Sequence, residues 1–247
     1  MRLNAKTAIV TGGARGIGRA AAVHFAREGA DVTIVYLEES QDAEDTRKLV
    51  EREGTRCLLL QGDVGDSGFC RHAVEKTVAE FGSLNILVNN AARQEVSEDL
   101  MEITDEQWEK TFRTNIHGYF YMARAALRHL QKGDSIINVT SVNPFVGNKS
   151  LVDYTSTKGA VNGFTRSLSE QVVGRGLRVN QVAPGPIWTP LIPATMGADD
   201  PESVEGFGSG TPMGRAGQPS DLGPAFVFLA CEDSAYMSGQ TLHLNGG

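Results

Sequence analysis

The chain has 247 residues, 40% hydrophobic and 21% charged, a length and apolar content that fit one α/β domain and exclude disordered and collagen-like chains. Its formal net charge of −7 has the wrong sign for a polyanion binder, so no nucleic acid is expected as a partner. No apolar run nears the roughly 18 residues a membrane span needs, and the first residues lack a signal-peptide core, so a cytoplasmic protein without a membrane partner is expected.

In chain order, short β-branched runs alternate with helical stripes. The strands are read at 7–11, 32–36, 56–61, 86–89, 135–140, 177–183 and 241–244, with six helices between them. That alternation predicts a single doubly wound Rossmann-type α/β domain over 1–247, its parallel seven-stranded sheet covered by helices on both faces.

The first strand runs into Thr11-Gly12-Gly13-Ala14-Arg15-Gly16-Ile17-Gly18 and then a helical stripe near Ala20. Glycines in a strand-to-helix turn let a pyrophosphate lie against helix N-terminal amides, so Gly12, Arg15, Gly16, Ile17 and Gly18 are candidate dinucleotide contacts. At the end of the second strand an acidic residue would select NAD, yet Tyr36 stands there, followed by Leu37, Glu38 and Glu39. Arg15 offers a planar fork for a 2′-phosphate and tilts the reading slightly to NADP(H) over NAD(H), without settling it. The carboxylates Glu38, Glu39, Glu44 and Asp45 read as an acidic helix start answering the helix dipole.

The stripe Trp108, Phe112, Ile116 and Phe120 marks a central helix. The strand at 135–140 delivers Ser141 to the carboxyl edge of the sheet, where open parallel sheets bind ligands. Tyr154 and Lys158, four apart at the head of the stripe Val161, Phe164, Leu168 and Val172, share one helix face. A cation beside a phenol lowers its pKa and makes it useful as an acid or base. The stretch 190–219, rich in Gly, Pro, Ser and Asp, reads as a substrate-binding lid. Cys57, Cys70 and Cys231, and the scattered histidines, show no metal-ligand spacing, so no metal is expected.

The glycine turn, Asn89-Asn90-Ala91-Ala92, Asn115, Ser141, the Tyr154/Lys158 pair and Pro184-Gly185-Pro186-Ile187-Trp188-Thr189 together resemble the short-chain dehydrogenase/reductase family over essentially the whole chain. Finer features, including Tyr36-Leu37-Glu38-Glu39 and Thr211-Pro212-Met213-Gly214-Arg215, are similar to its glucose/ribitol dehydrogenase-like and aldehyde reductase branch. The resemblance implies Tyr154 as acid/base, Lys158 as the group that tunes it and holds the nicotinamide ribose, Ser141 as the carbonyl-orienting hydroxyl and Asn115 as the holder of a relay water. It implies adenine contacts at Asp63 and Val64, ribose contacts at Asn89 and Ala91, and nicotinamide-side contacts at Pro184, Gly185, Ile187 and Thr189. Gln94, Val142, Phe145, Pro186, Trp188 and Ile192 would line the substrate pocket beside that nicotinamide. Ala92 departs from the family's usual glycine. The activity implied is NAD(P)(H)-dependent interconversion of an aldehyde or ketone with an alcohol, acting on CH–OH donors, in a homotetramer. The alternative is a non-catalytic NAD(P)-sensing module on the same fold. A chain ending at Gly247, just after the last strand, is expected to lack the substrate domain of the sugar-nucleotide epimerases.

Overall fold

The computed structural model describes residues 1–192 and 206–247. In chain order come β1 (Thr7–Thr11), α1 (Gly16–Arg27), β2 (Asp31–Tyr36), α2 (Ser40–Arg52), β3 (Cys57–Gln61), α3 (Ser67–Phe81), β4 (Ile86–Asn89), α4 (Asp105–Phe112), α5 (Gly118–Ala126), β5 (Ser135–Val139), α6 (Asn143–Val146), α7 (Val152–Val172), β6 (Arg178–Pro184), α8 (Pro219–Ala230) and β7 (Thr241–Leu244). The strand predictions hold to within a residue at nearly every end. The single helix expected through Trp108 and Phe120 is divided by a π-helical turn, Arg113–His117, and α6 is a one-turn helix that periodicity did not mark.

The sheet is wholly parallel in the order β3-β2-β1-β4-β5-β6-β7. The chain winds outward from β1 to β3, returns to β4 and winds outward the other way, so a crevice opens between the carboxyl ends of β1 and β4. Successive strand residues face opposite sides. Val10 and Ile34 join Phe25 of α1, Val50 of α2 and Phe226 of α8 in one core layer. Ile9 and Leu87 join Val74 of α3, Met122 of α5 and Leu168 of α7 in the other. With helices on both faces, strands read as near-continuous apolar runs; β1 and β4 are buried along their whole length.

Residues 193–205 of the stretch 190–219, expected as a lid, lie outside the described residues. Its far end is the first residue of α8, Pro219. Among the described residues no helix is long and apolar enough to cross a membrane.

Candidate active site

The turn after β1 is built around close approach. Gly12 has φ +61°, and a Cβ there would sit 2.9 Å from the Cα of Ala91 after β4. At Gly18, in the first turn of α1, a Cβ would overlap the Gly12 carbonyl oxygen and lie 2.7 Å from Asn90 Nδ2. Asn90 closes the crevice by donating from Nδ2 to the carbonyls of Thr11 and Gly12, at 2.9 and 3.1 Å. The first turn of α1 carries no acidic side chain and its N-cap makes no side-chain hydrogen bond, so its end amides face the crevice uncapped. A backbone cradle of this kind, too tight for side chains and positive at the helix end, fits a pyrophosphate.

Arg15 borders that cradle, but its guanidinium is paired with Glu39 at 3.1 Å and lies 3.9 Å from Asp42. Glu39 therefore does more than answer a helix dipole: it precedes α2 and neutralises the candidate phosphate-binding cation. Tyr36, at the end of β2, packs half-buried against the core. Asp63 and Val64 follow β3 at the same sheet edge; Asp63 accepts from the Gly65 amide at 2.7 Å in a local turn, and Val64 is buried against the helix face at Gly118.

Ser141, Tyr154 and Lys158 converge on one cavity of about 420 Å³, whose walls also hold Gly12, Arg15, Gly16, Ile17 and Ala91. Ser141 Oγ accepts from the Asn143 amide at 3.1 Å, and its hydroxyl works to lower the pKa of the Tyr154 phenol. The Lys158 Nζ stands 5.5 Å from the Tyr154 ring centre and donates to the Val139 carbonyl at 2.7 Å. The spacing of the pair predicts a phenol acidified by lysine. In this structure burial prevails: the Tyr154 pKa is pushed up to about 12 despite the Ser141 hydrogen bond, and that of Lys158 is brought down to about 7. Neither group is surrounded by enough water or countercharge to favour its ionised form.

Asn115 is fully buried in the π-helical turn. Its Oδ1 accepts from the Arg93 amide at 2.8 Å, and its Nδ2 donates to the Arg93 carbonyl at 2.8 Å and to Thr157 Oγ1 at 3.0 Å. Thr157 in turn donates to the Tyr154 carbonyl at 2.6 Å, so the Asn115 side chain braces the Tyr154 helix against the loop after β4. Asn89 lies beneath the cavity, donating to Asn138 Oδ1 at 3.0 Å.

Pro184, Gly185, Ile187 and Thr189 all border the cavity, as do Gln94, Val142, Pro186 and Ile192. A Cβ at Gly16 would meet Thr189 at 3.5 Å, so the loop after β6 folds against the glycine turn. Two residues expected in the pocket do not line it. Phe145 turns outward to an edge-on contact with His243, ring centres 4.7 Å apart, and Trp188 stacks obliquely towards Phe207 at 6.1 Å while staying 40% exposed. Phe207 supplies an aromatic wall instead, and Asn148 and Leu151 complete the opposite side. No periodic signal marks Phe207. Asn90 belongs to the Asn89-Asn90-Ala91-Ala92 motif, but which of those residues faces the crevice depends on strand pleat.

The family described as Enoyl-(Acyl carrier protein) reductase matches residues 12–247. The chain is 48% identical over 252 residues to a glucose and ribitol dehydrogenase of Daucus carota, covering 100% of this chain and 86% of that one. It is 47% identical over 253 residues to the chloroplastic NADPH-dependent aldehyde reductase 1 of Arabidopsis thaliana, covering 100% and 87%. A crystal structure of a short chain dehydrogenase from Burkholderia cenocepacia J2315 in complex with NADP superposes with a TM-score of 0.93 at 31% identity, covering 100% of this chain and 99% of that one.

Proposed function

The chain belongs to the short-chain dehydrogenase/reductase family, in the branch of glucose and ribitol dehydrogenases and aldehyde reductases, and from that premise we propose that it interconverts a small aldehyde or ketone and an alcohol with NAD(P)(H). The observation that carries the reading is the convergence of Ser141, Tyr154 and Lys158 on the cavity that also holds the glycine cradle. A sensing module needs the cradle but has no use for a phenol, a hydroxyl and a buried ammonium at its mouth.

When bound, a reduced nicotinamide supplies the hydride. The chain's own part is to hold the carbonyl and move a proton. Ser141, its oxygen already accepting from the Asn143 amide, has its O–H free to turn from Tyr154 to the substrate oxygen. Tyr154 gives up its phenolic proton to that oxygen as negative charge develops there, and Lys158 stabilises the phenolate left behind. A phenol pushed up to about 12 is fully protonated near neutral pH, which suits it to the reducing direction. Gly12, Gly16, Ile17 and Gly18 are assigned to the pyrophosphate, Asp63, Val64, Asn89 and Ala91 to the adenosine side, and Pro184, Gly185, Ile187 and Thr189 to the nicotinamide side.

For the cofactor we favour NADP(H), with Arg15 exchanging Glu39 for the 2′-phosphate; the NADP of the Burkholderia structure and the NADPH of the Arabidopsis enzyme support this choice. The substrate class is small carbonyls or polyol-type alcohols, held between Gln94, Val142 and Ile192. We also propose a homotetramer; the 44% exposed Phe120 of α5, with Arg124 stacked on it, supports an interface there. Calorimetric titration with NADPH and NADH, followed by a screen of aldehydes, diketones and sugar alcohols at 340 nm, tests the reading. Tight binding with turnover is expected. Binding without turnover of any substrate would return the chain to the sensing alternative.

A further inference from the structure

Tyr119 lies in the first turn of α5 and is buried, although a phenol is an awkward group for a core. Its hydroxyl donates to the Val139 carbonyl at 3.0 Å and accepts from Lys158 Nζ at 3.1 Å. The same Nζ donates to Val139 at 2.7 Å, so phenol, ammonium and carbonyl form a closed triangle at the carboxyl end of β5. The Tyr119 ring also faces the ammonium, its centre 5.1 Å from Nζ, against 5.5 Å for the ring of Tyr154. Lys158 is thus held between two tyrosine rings.

An ammonium has three hydrogens. Two are spent on Val139 and Tyr119, which fixes the rotation of the group about its Cε–Nζ bond. A flexible four-carbon stem with one carbonyl partner alone would leave that rotation free. We propose that Tyr119 is a positioning residue for Lys158, its hydroxyl holding Nζ so that the one unspent ammonium hydrogen points into the cavity beside Tyr154. Nothing suits Tyr119 to carry protons itself: its own hydrogen is committed to a carbonyl, and burial raises its pKa well above that of a free phenol. The proposal rests on the oxidoreductase reading for its effect on rate, but the tether is a property of the chain.

Tyr119→Phe keeps the ring and removes only the oxygen. In the carbonyl reductase assay kcat is expected to fall about tenfold, the order of effect of one hydrogen bond to a charged group, while the Kd for NADPH and the melting temperature stay essentially unchanged. A merely structural tyrosine would move stability and leave kcat alone. The second readout needs no turnover: in protein labelled with 13C and 15N at lysine, the Lys158 side-chain titration midpoint is expected to fall, because the ammonium has lost an acceptor. The titratable groups packed against it are Tyr119 of α5 and Tyr154 of its own helix, while β5 presents only the Val139 carbonyl. An unchanged kcat together with an unchanged Lys158 titration overturns the proposal. Should the variant fail to fold, the parent decides alone: a nuclear Overhauser contact between the Lys158 ε-protons and the Tyr119 ring supports the tether, and its absence overturns it. A parent that turns over none of the carbonyls with NADPH defeats the oxidoreductase reading, and the Lys158 titration then still decides the tether.

Discussion

Replacing Lys158 by methionine should end turnover and, at neutral or lower pH, stabilise the fold. The parent ammonium is 1% exposed and held by a carbonyl, a phenol oxygen and two aromatic faces, and burial takes its pKa from 10.5 to about 7. At about 1.4 kcal/mol per pKa unit, that shift disfavours the charged form by roughly 5 kcal/mol. The sign follows from proton counting. Between pH 7 and 10.5 the unfolded chain keeps a proton on this lysine that the folded chain has released, so parental stability rises with pH through that window. Tyr154, pushed up to about 12, titrates above it. Methionine has a stem of similar length and no charge, so the variant lacks the slope. Urea unfolding of both proteins should show the variant ahead near pH 6, with its lead shrinking by roughly 3 kcal/mol by about pH 9. A lead independent of pH, or a variant less stable than the parent near pH 6, would refute the claim that Lys158 is held at the expense of the fold.

Four further substitutions probe the same geometry. Gly18→Ala pushes a methyl into the Gly12 carbonyl and Asn90; it should lose about 1–3 kcal/mol in urea unfolding and weaken nucleotide binding, and parental values for both would contradict the cradle. Arg15→Ala should raise the Kd for NADPH more than for NADH, and Glu39→Gln, which releases Arg15, should tighten NADPH selectively; equal effects on the two nucleotides would remove Arg15 from the 2′-phosphate site. Asp153 is fully buried and accepts from the Tyr154 amide at 2.6 Å, Thr111 Oγ1 at 2.8 Å and Gln107 Nε2 at 3.2 Å. Asp153→Asn turns one acceptor into a donor and should cost about 2 kcal/mol of stability, checked by calorimetric melting; an unchanged melt would show that the carboxylate is dispensable.

The fold was legible because its signals are local. Every strand but β3, which is leucine-rich, holds β-branched residues, and strand-turn-helix order with parallel pairing leaves few topologies. The reacting residues were legible for a similar reason, since the Tyr154–Lys158 spacing and the position of Ser141 at a strand end both follow from regular geometry. What escaped depends on direction and on partners far along the chain. Phe145 and Trp188 sit in the right segments, but no period says which way a loop side chain points. Glu39 meets Arg15 across 24 residues and Tyr119 meets Lys158 across 39, contacts that exist only once β1, β5 and their helices have packed. The protonation states of the pair escaped too: spacing reports that phenol and ammonium are neighbours, while burial, a property of the whole fold, sets which form each prefers.

Tyr154→Phe, assayed with NADPH and a carbonyl that the parent reduces, tests the reacting site most directly. The variant loses the one atom assigned to deliver the proton and keeps the ring, the cradle and Lys158. NADPH binding close to that of the parent is expected, with a kcat lower by about 100-fold or more. Parental kcat in this variant would show that the proton comes from elsewhere, and the assignment of Ser141, Tyr154 and Lys158 as the reacting site would fall with it.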